Sequence, residues 1–146
     1  MRRRTFRAET LLHEARTRPV MPISIAIDES RRRIHVTVHG DFSYADAVSY
    51  LEQRRDRGLL GYAALIDCGD ADTGLTTDEI RSLVELRRRL MGEQPIGPTA
   101  IVAQRDVLFG MLRMYQILTD DAVSLHVTRT LDDAERWLAA TDTVLR

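Results

Sequence analysis

The sequence predicts a single α/β domain built on a largely parallel sheet. The length of 146 residues fits one domain of ordinary size. Hydrophobicity alternates with a period of two near the start of the chain and with a helical period afterwards. Two later segments, 62–66 and 99–103, are short and apolar throughout, as in strands covered on both faces. The predicted order is β-β-α-β-α-β-α-β-α, with right-handed crossovers joining the parallel strands.

An alternating pattern predicts an N-terminal hairpin. Isoleucines alternate with small or polar residues over 23–28, and Ile34, Val36 and Val38 alternate with polar residues in the next segment. The polar residues 29–32 form the turn between them. We therefore expect the first strand to lie antiparallel at or near an edge of the sheet.

Hydroxyl and acidic residues mark the helix starts. Ser43 with Asp46, Thr76 with Glu79 and Thr130 with Asp133 have capping-box spacing, in which a side-chain oxygen accepts a bond from a first-turn amide. Asp106 is predicted to cap a third helix over 107–118. Glycines and prolines over 92–98 are predicted to break the chain after the second helix, and Leu125 and Val127 indicate a last strand.

Composition and charge disfavour several classes of protein. No apolar run approaches the roughly 20 residues that cross a bilayer, and the N-terminus lacks the apolar core of a secretory signal, so a cytoplasmic location is expected. Residues 1–20 carry six Arg against two Glu and are predicted to form a flexible basic arm. Residues 21–146 form the domain, and their fifteen Arg against twenty acidic residues make it a poor platform for nucleic acid. The absence of Lys indicates GC-rich bacterial coding.

No arrangement of residues typical of catalysis or metal binding is visible. The sequence has no GxSxG elbow, no Walker loop and no CxxC pair. The lone Cys68 has no histidine beside it. His35 and His39 share a strand face, but about 13 Å separates them, too far to bind one ion. We therefore expect no enzyme, no metal and no cofactor, and a hydrolase is the least favoured function.

The third predicted helix is apolar on nearly all sides. Such a helix is either deeply covered or presents a surface to something else. Three interpretations remain open: a central core helix, a homodimer contact, or a groove for a lipid or protein partner. The residues of this candidate surface are Phe109, Met111, Leu112, Met114 and Leu118.

Several strings resemble those of a known family. They are IHVTVHG at 34–40, ALID at 64–67, TTDEI at 76–80, GPTAIV at 97–102, FGMLRM at 109–114, VTRT at 127–130 and AERWL at 134–138. Together with the element order, over about residues 21–140, they resemble the small bacterial STAS domains, in the branch called SpoIIAA-like or STAS/SEC14-like. The resemblance implies a non-enzymatic protein-interaction module, of a family whose better-known members are switched by phosphorylation.

The family's phosphoacceptor lies where the third strand runs into the second helix, and Asp72-Thr73-Gly74-Leu75 is the nearest match. From the residues alone, Thr73, Thr76 and Thr77 precede or begin a helix, where the dipole and unpaired amides favour a phosphate. Neighbouring acidic residues oppose an added phosphate. The sequence thus favours a regulatory module that binds a protein partner, with a carrier or sensor of a lipid or small apolar ligand as the alternative.

Overall fold

One five-stranded sheet organises the residues that the computed structural model describes, 23–120 and 124–145. The spatial order of its strands follows the chain order: β1 (Ile23–Asp28), β2 (Arg33–Val38), β3 (Ala63–Asp67), β4 (Thr99–Val102) and β5 (Leu125–Thr128). β1 pairs antiparallel with β2 at one edge, and the other neighbours are parallel. The predicted hairpin and mostly parallel sheet are confirmed, whereas the predicted arm, 1–20, lies outside the described residues.

Four helices lie in the described part of the chain, and they cover the two faces of the sheet unequally. They are α1 (Tyr44–Asp56), α2 (Thr77–Glu93), α3 (Asp106–Thr119) and α4 (Leu131–Leu145). Side chains on one sheet face, such as Ile34, Val36 and Ile66, pack with α1, α2 and α3 into the main core. Leu65 and Val102 point the opposite way and pack under α4. Because successive strand residues alternate between faces, the fully apolar strands are explained by helices on both sides.

The capping boxes at Ser43 and Thr76 are confirmed. Each hydroxyl accepts a bond from the amide three residues later, and the acidic side chain accepts one from the cap amide. Thr130 Oγ1 likewise accepts from the Asp133 amide at 3.1 Å. These three helix starts follow from local chemistry that the sequence displays directly.

The predicted cap of the third helix was wrong. Arg105, not Asp106, is the cap of α3, and it makes no side-chain cap bond. Asp106 is the first helical residue, and its carboxylate pairs with Arg129 at 2.8 Å. The predicted break over 92–98 is confirmed, since α2 ends at Glu93.

Gly97 marks a close approach of two backbone segments before β4. A Cβ at this position would lie 2.3 Å from the Tyr62 carbonyl oxygen and 2.6 Å from that of Gly61. The Gly97 amide donates to the Leu60 carbonyl at 2.8 Å. The 59–62 loop can therefore pack directly against the start of β4. Among the described residues, no helix is both long and apolar enough to cross a membrane.

Candidate functional site

The third helix carries two parallel apolar rows. The inner row, Leu108, Leu112 and Tyr115, is buried against the core. The second row is offset by one residue and lies beside the first, with three members partly buried against the core and three exposed. We call it the outer α3 row: Val107, Gly110, Met111, Met114, Ile117 and Leu118.

Two residues of the outer α3 row are unusually open to solvent. Val107 is 58% exposed and Ile117 is 65% exposed. The helix that carries them is held by its buried inner row, and exposed side chains make further contacts at its ends, from Arg129 to Asp106 and from Arg88 Nη2 to the Leu118 carbonyl at 3.0 Å.

The five residues predicted as a surface on this helix do not share one environment. Leu112 belongs to the buried inner row. The Phe109 ring lies under the Arg129 guanidinium, whose carbon is 4.0 Å from the ring centroid. Met111, Met114 and Leu118 are half-buried at the margin of the core. The most exposed positions, Val107 and Ile117, were missed, although their helical spacing from Met111 and Met114 could have identified them.

The three predicted phosphoacceptor residues lie together between β3 and α2. Thr73 Oγ1 donates to the Phe42 carbonyl at 2.6 Å and accepts from the Leu75 amide at 3.1 Å. Thr76 Oγ1 is the α2 cap. Thr77 is the first helical residue and is exposed. Phosphorylation of Thr73 or Thr76 would break bonds that order this segment, and a phosphoacceptor role for all three stays a prediction.

A fully buried arginine, Arg54, holds the end of α1 against the sheet. It is 0% exposed, and Nη1 donates to Tyr50 Oη at 3.1 Å and to Thr99 Oγ1 at 3.0 Å. Its other donors reach the backbone carbonyls of Leu59, Leu60 and Tyr62. Arg54 therefore has acceptors on all sides, although it forms no ion pair with another described residue.

A second buried arginine, Arg87 on α2, borders an interior cavity. Arg87 is 1% exposed, and its Nε and Nη2 have no hydrogen-bond partner among the described residues. The Tyr115 hydroxyl lies near this guanidinium. Burial raises the pKa of Tyr115, and the nearby Arg87 charge and hydrogen bond oppose that rise.

The cavity lies between the sheet and the helices α1, α2 and α3. Its volume is about 50 Å³. Most of its wall is aliphatic, with Tyr50, Thr99 and Tyr115 among the polar residues, and no described lining residue is acidic. Of the five residues of the candidate surface predicted on the third helix, Leu112 lines this cavity and the other four do not. A space of this size is far too small for a lipid chain.

Cys68 also borders this cavity, but it lacks the features of a nucleophile. Burial, with a smaller contribution from the Asp67 charge, raises the pKa of its thiol to about 12. The reactive form of cysteine is the thiolate, which is scarce at neutral pH for such a group. This environment favours a packing role for Cys68.

The histidines of the described residues lie apart from the cavity. His126 stacks on Trp137 with ring centroids 5.3 Å apart, and burial lowers its pKa. His39 Nε2 and Ser24 Oγ are 3.2 Å apart. In the described ranges, no three His, Cys, Asp or Glu side chains are grouped as they would be around a metal ion.

A wider depression lies on the other side of the sheet, beside α4. Its volume is about 210 Å³, and residues of β1, β2 and the turn between them line it together with Glu135. The Arg33–Glu135 ion pair, at 2.6 Å, lies at this site.

A solved structure identifies the fold. It is the crystal structure of an uncharacterized protein of the DUF3478 family from Shewanella loihica PV-4, which has a SpoIIAA-like fold. The two structures superpose with a TM-score of 0.52 at 19% sequence identity, over 83% of this chain and 97% of that one. The present chain has a SpoIIAA-like fold.

The SpoIIAA-like fold confirms the architecture that the sequence strings indicated. No protein-family model matches the sequence, and no curated protein matches it. A likeness at this level of identity establishes fold and not activity, because one fold supports many functions.

Proposed function

We propose that this chain is a non-enzymatic protein-interaction module whose contact surface is the outer α3 row. The observation that carries this proposal is the exposure of Val107 and Ile117 on a helix whose other apolar row already forms the core. A helix needs one apolar row to pack on a sheet, and a second exposed row lowers solubility unless another surface covers it. The SpoIIAA-like fold is compatible with such a module.

The partner we propose is a second copy of this chain. Two copies related by a two-fold axis present the same apolar row to each other, so a single surface supplies both halves of the interface. Gly110 lies within the row, and a Cβ added there would have no neighbouring atom within 4 Å, which leaves room for a close helix approach. Met111 and Met114 are flexible enough to adapt to a facing surface.

The size of the row predicts a weak association. A 14-residue helix is about 21 Å long, and its single row covers less than the roughly 800 Å² per partner of a standard interface. We therefore expect a dimer with a micromolar dissociation constant, in exchange with the monomer. Such exchange between monomer and dimer suits a regulatory module that also binds other proteins.

Sedimentation equilibrium over the micromolar to millimolar range tests this proposal. The full chain should shift from monomer to dimer, and Ile117→Glu should abolish the shift because it puts a charge into an apolar contact. Leu131→Glu is the matched control, since Leu131 is also apolar and is 44% exposed but lies on α4. A wild-type chain that stays monomeric throughout, or equal effects of both variants, would contradict the proposal.

A further inference from the structure

The cavity between the sheet and the helices α1, α2 and α3 is apolar, although polar residues contribute to its lining. Those residues are Tyr50, Arg87, Thr99 and Tyr115. Almost all of the cavity surface nevertheless belongs to apolar atoms. Arg54 Nη1 donates to Tyr50 Oη at 3.1 Å and to Thr99 Oγ1 at 3.0 Å, and Thr99 Oγ1 in turn donates to a backbone carbonyl at 3.0 Å. These two hydroxyl groups are thus engaged elsewhere, and carbon atoms face the cavity.

A cavity of this character stays dry. It lies in the interior, since no described lining residue is more than 8% exposed. A buried water needs about two to four hydrogen-bond partners, and this surface offers almost none. Water that entered would lose the hydrogen bonds it makes in bulk solvent without replacing them, so it is excluded.

The volume of the cavity limits the size of an occupant. About 50 Å³ is roughly three to five times the 10–15 Å³ that a single water needs. A molecule of about two or three non-hydrogen atoms fits this space, whereas a longer hydrocarbon does not. An empty cavity deprives its lining of dispersion contacts, and an apolar occupant restores them.

We propose that this cavity binds a small, uncharged, apolar molecule of the size of dioxygen. The occupant contacts aliphatic side chains of the sheet and the helices, among them Val36, Ile66 and Leu112. Charged or strongly hydrated molecules are rejected, because their polar groups would find no partner on this surface. No described lining residue belongs to the outer α3 row, so this proposal and the proposed self-association can fail independently.

Methyl NMR of the full chain under dioxygen pressure tests the site without a variant, with nitrogen at the same pressure as the diamagnetic reference. Dioxygen is paramagnetic and speeds the relaxation of nearby methyl groups. We expect the relaxation rates of the Val36, Ile66 and Leu112 methyls to rise severalfold more than those of Leu65 and Leu138. These two leucines are similarly buried, but they pack under α4 and do not line the cavity.

Two outcomes of this measurement would overturn the proposal. Equal increases in both groups of methyls would show that dioxygen dissolves throughout the interior without a site. Nuclear Overhauser effects from water to the cavity methyls would show that water fills the space.

Xenon, an apolar atom that enters dry cavities, provides a second test. Increasing xenon pressure should shift the cavity methyl signals of the wild-type chain to saturation. Ala47→Leu places a larger aliphatic side chain at the cavity wall and should abolish these shifts. The matched control, Ala45→Leu, makes the same change at an exposed residue of α1 and should retain them. The proposal is wrong if the wild-type chain shows no saturable shift, or if folded Ala47→Leu keeps the full shift.

Discussion

Arg54 and Arg87 are equally buried but differ in what their guanidinium groups contact. We expect Arg54→Met to lower the free energy of unfolding by about 3 kcal/mol or more, because it leaves several buried oxygens without donors. Arg87→Met should cost much less, since Nε and Nη2 lose no described bonds. Urea denaturation measures both. Equal losses for the two variants would contradict this assignment of their roles.

The burial of Cys68 predicts how it responds to pH. Its pKa rises from 9.0 to about 12 in the folded chain, so between these values the unfolded thiol loses its proton while the folded one keeps it. The contribution of Cys68 to stability is therefore complete below about pH 9 and declines as pH rises further. The stability difference between the wild-type chain and Cys68→Ala should shrink from pH 8 to pH 10 in urea titrations. A difference that stays constant or grows would be inconsistent with the raised pKa.

Both buried arginines lie at positions that helical spacing marks as inward-facing. Arg87 falls between Leu83 and Leu90 on the apolar row of α2, where that row requires a buried residue. Arg54 likewise follows Tyr50 and Leu51 on α1. Arginines on helices usually face solvent, and the sequence shows nothing of the carbonyls that Arg54 reaches. Four of the five Arg54 acceptors lie within eight residues of it, on Tyr50 and in the loop that follows α1, and only Thr99 is distant in sequence. The fold is needed to show that this loop turns its carbonyls back toward Arg54.

At the scale of single elements, substitutions at Thr76, the cap of α2, and at its neighbour Thr77 should have different effects on stability. Thr76→Ala removes the oxygen that accepts from the Glu79 amide at 3.1 Å and should cost about 1 kcal/mol. Thr77→Ala should cost little, because Thr77 is exposed and Ala favours helix. Thermal unfolding of the two variants checks this, and a larger loss for Thr77→Ala would refute the cap assignment.

Gly110 should respond in opposite directions in the monomer and the dimer. Gly110→Ala should stabilise monomeric α3 by about 0.5–1 kcal/mol, because alanine loses less conformational entropy on folding than glycine does and no atom lies near the added carbon. The same methyl group should weaken self-association by separating the two helices. Thermal unfolding at low concentration and sedimentation at high concentration measure the two effects. Tighter association of this variant would exclude a close approach at Gly110.

Helix starts could be predicted where the signal is a local pair of residues. Ser43 and Thr76 act as caps because their hydroxyls reach an amide three residues away. Asp106 does not cap α3, because the helix begins one residue earlier than predicted and Arg105 takes the cap position. No paired acidic residue three positions on marks that start, so the local signal fixed the helix but not its first residue.

At the scale of the whole molecule, periodicity predicted a mostly parallel sheet and the order of strands and helices along the chain, but not the spatial order of the strands. The alternation at Ile34 and Val36 predicted a strand covered on one face, and the uniform apolarity around Leu65 predicted a strand covered on both faces. The helices provide this cover. The cavity could not be predicted, because its lining comes from eight separate elements and two intervening residues that meet only after folding. The outer α3 row was partly predicted, since sequence identified the apolar helix but not which side stays exposed.

The most direct test of the interaction proposal is photo-crosslinking through residue 117. A photoreactive phenylalanine analogue is placed at position 117 and, as the matched control, at position 131, both exposed apolar sites. We expect a covalent dimer from position 117, with the crosslink mapping to α3 of the partner copy, and none from position 131. Absence of a dimer from position 117 at millimolar protein, or equal yields from both positions, would contradict the claim that the outer α3 row is the contact surface.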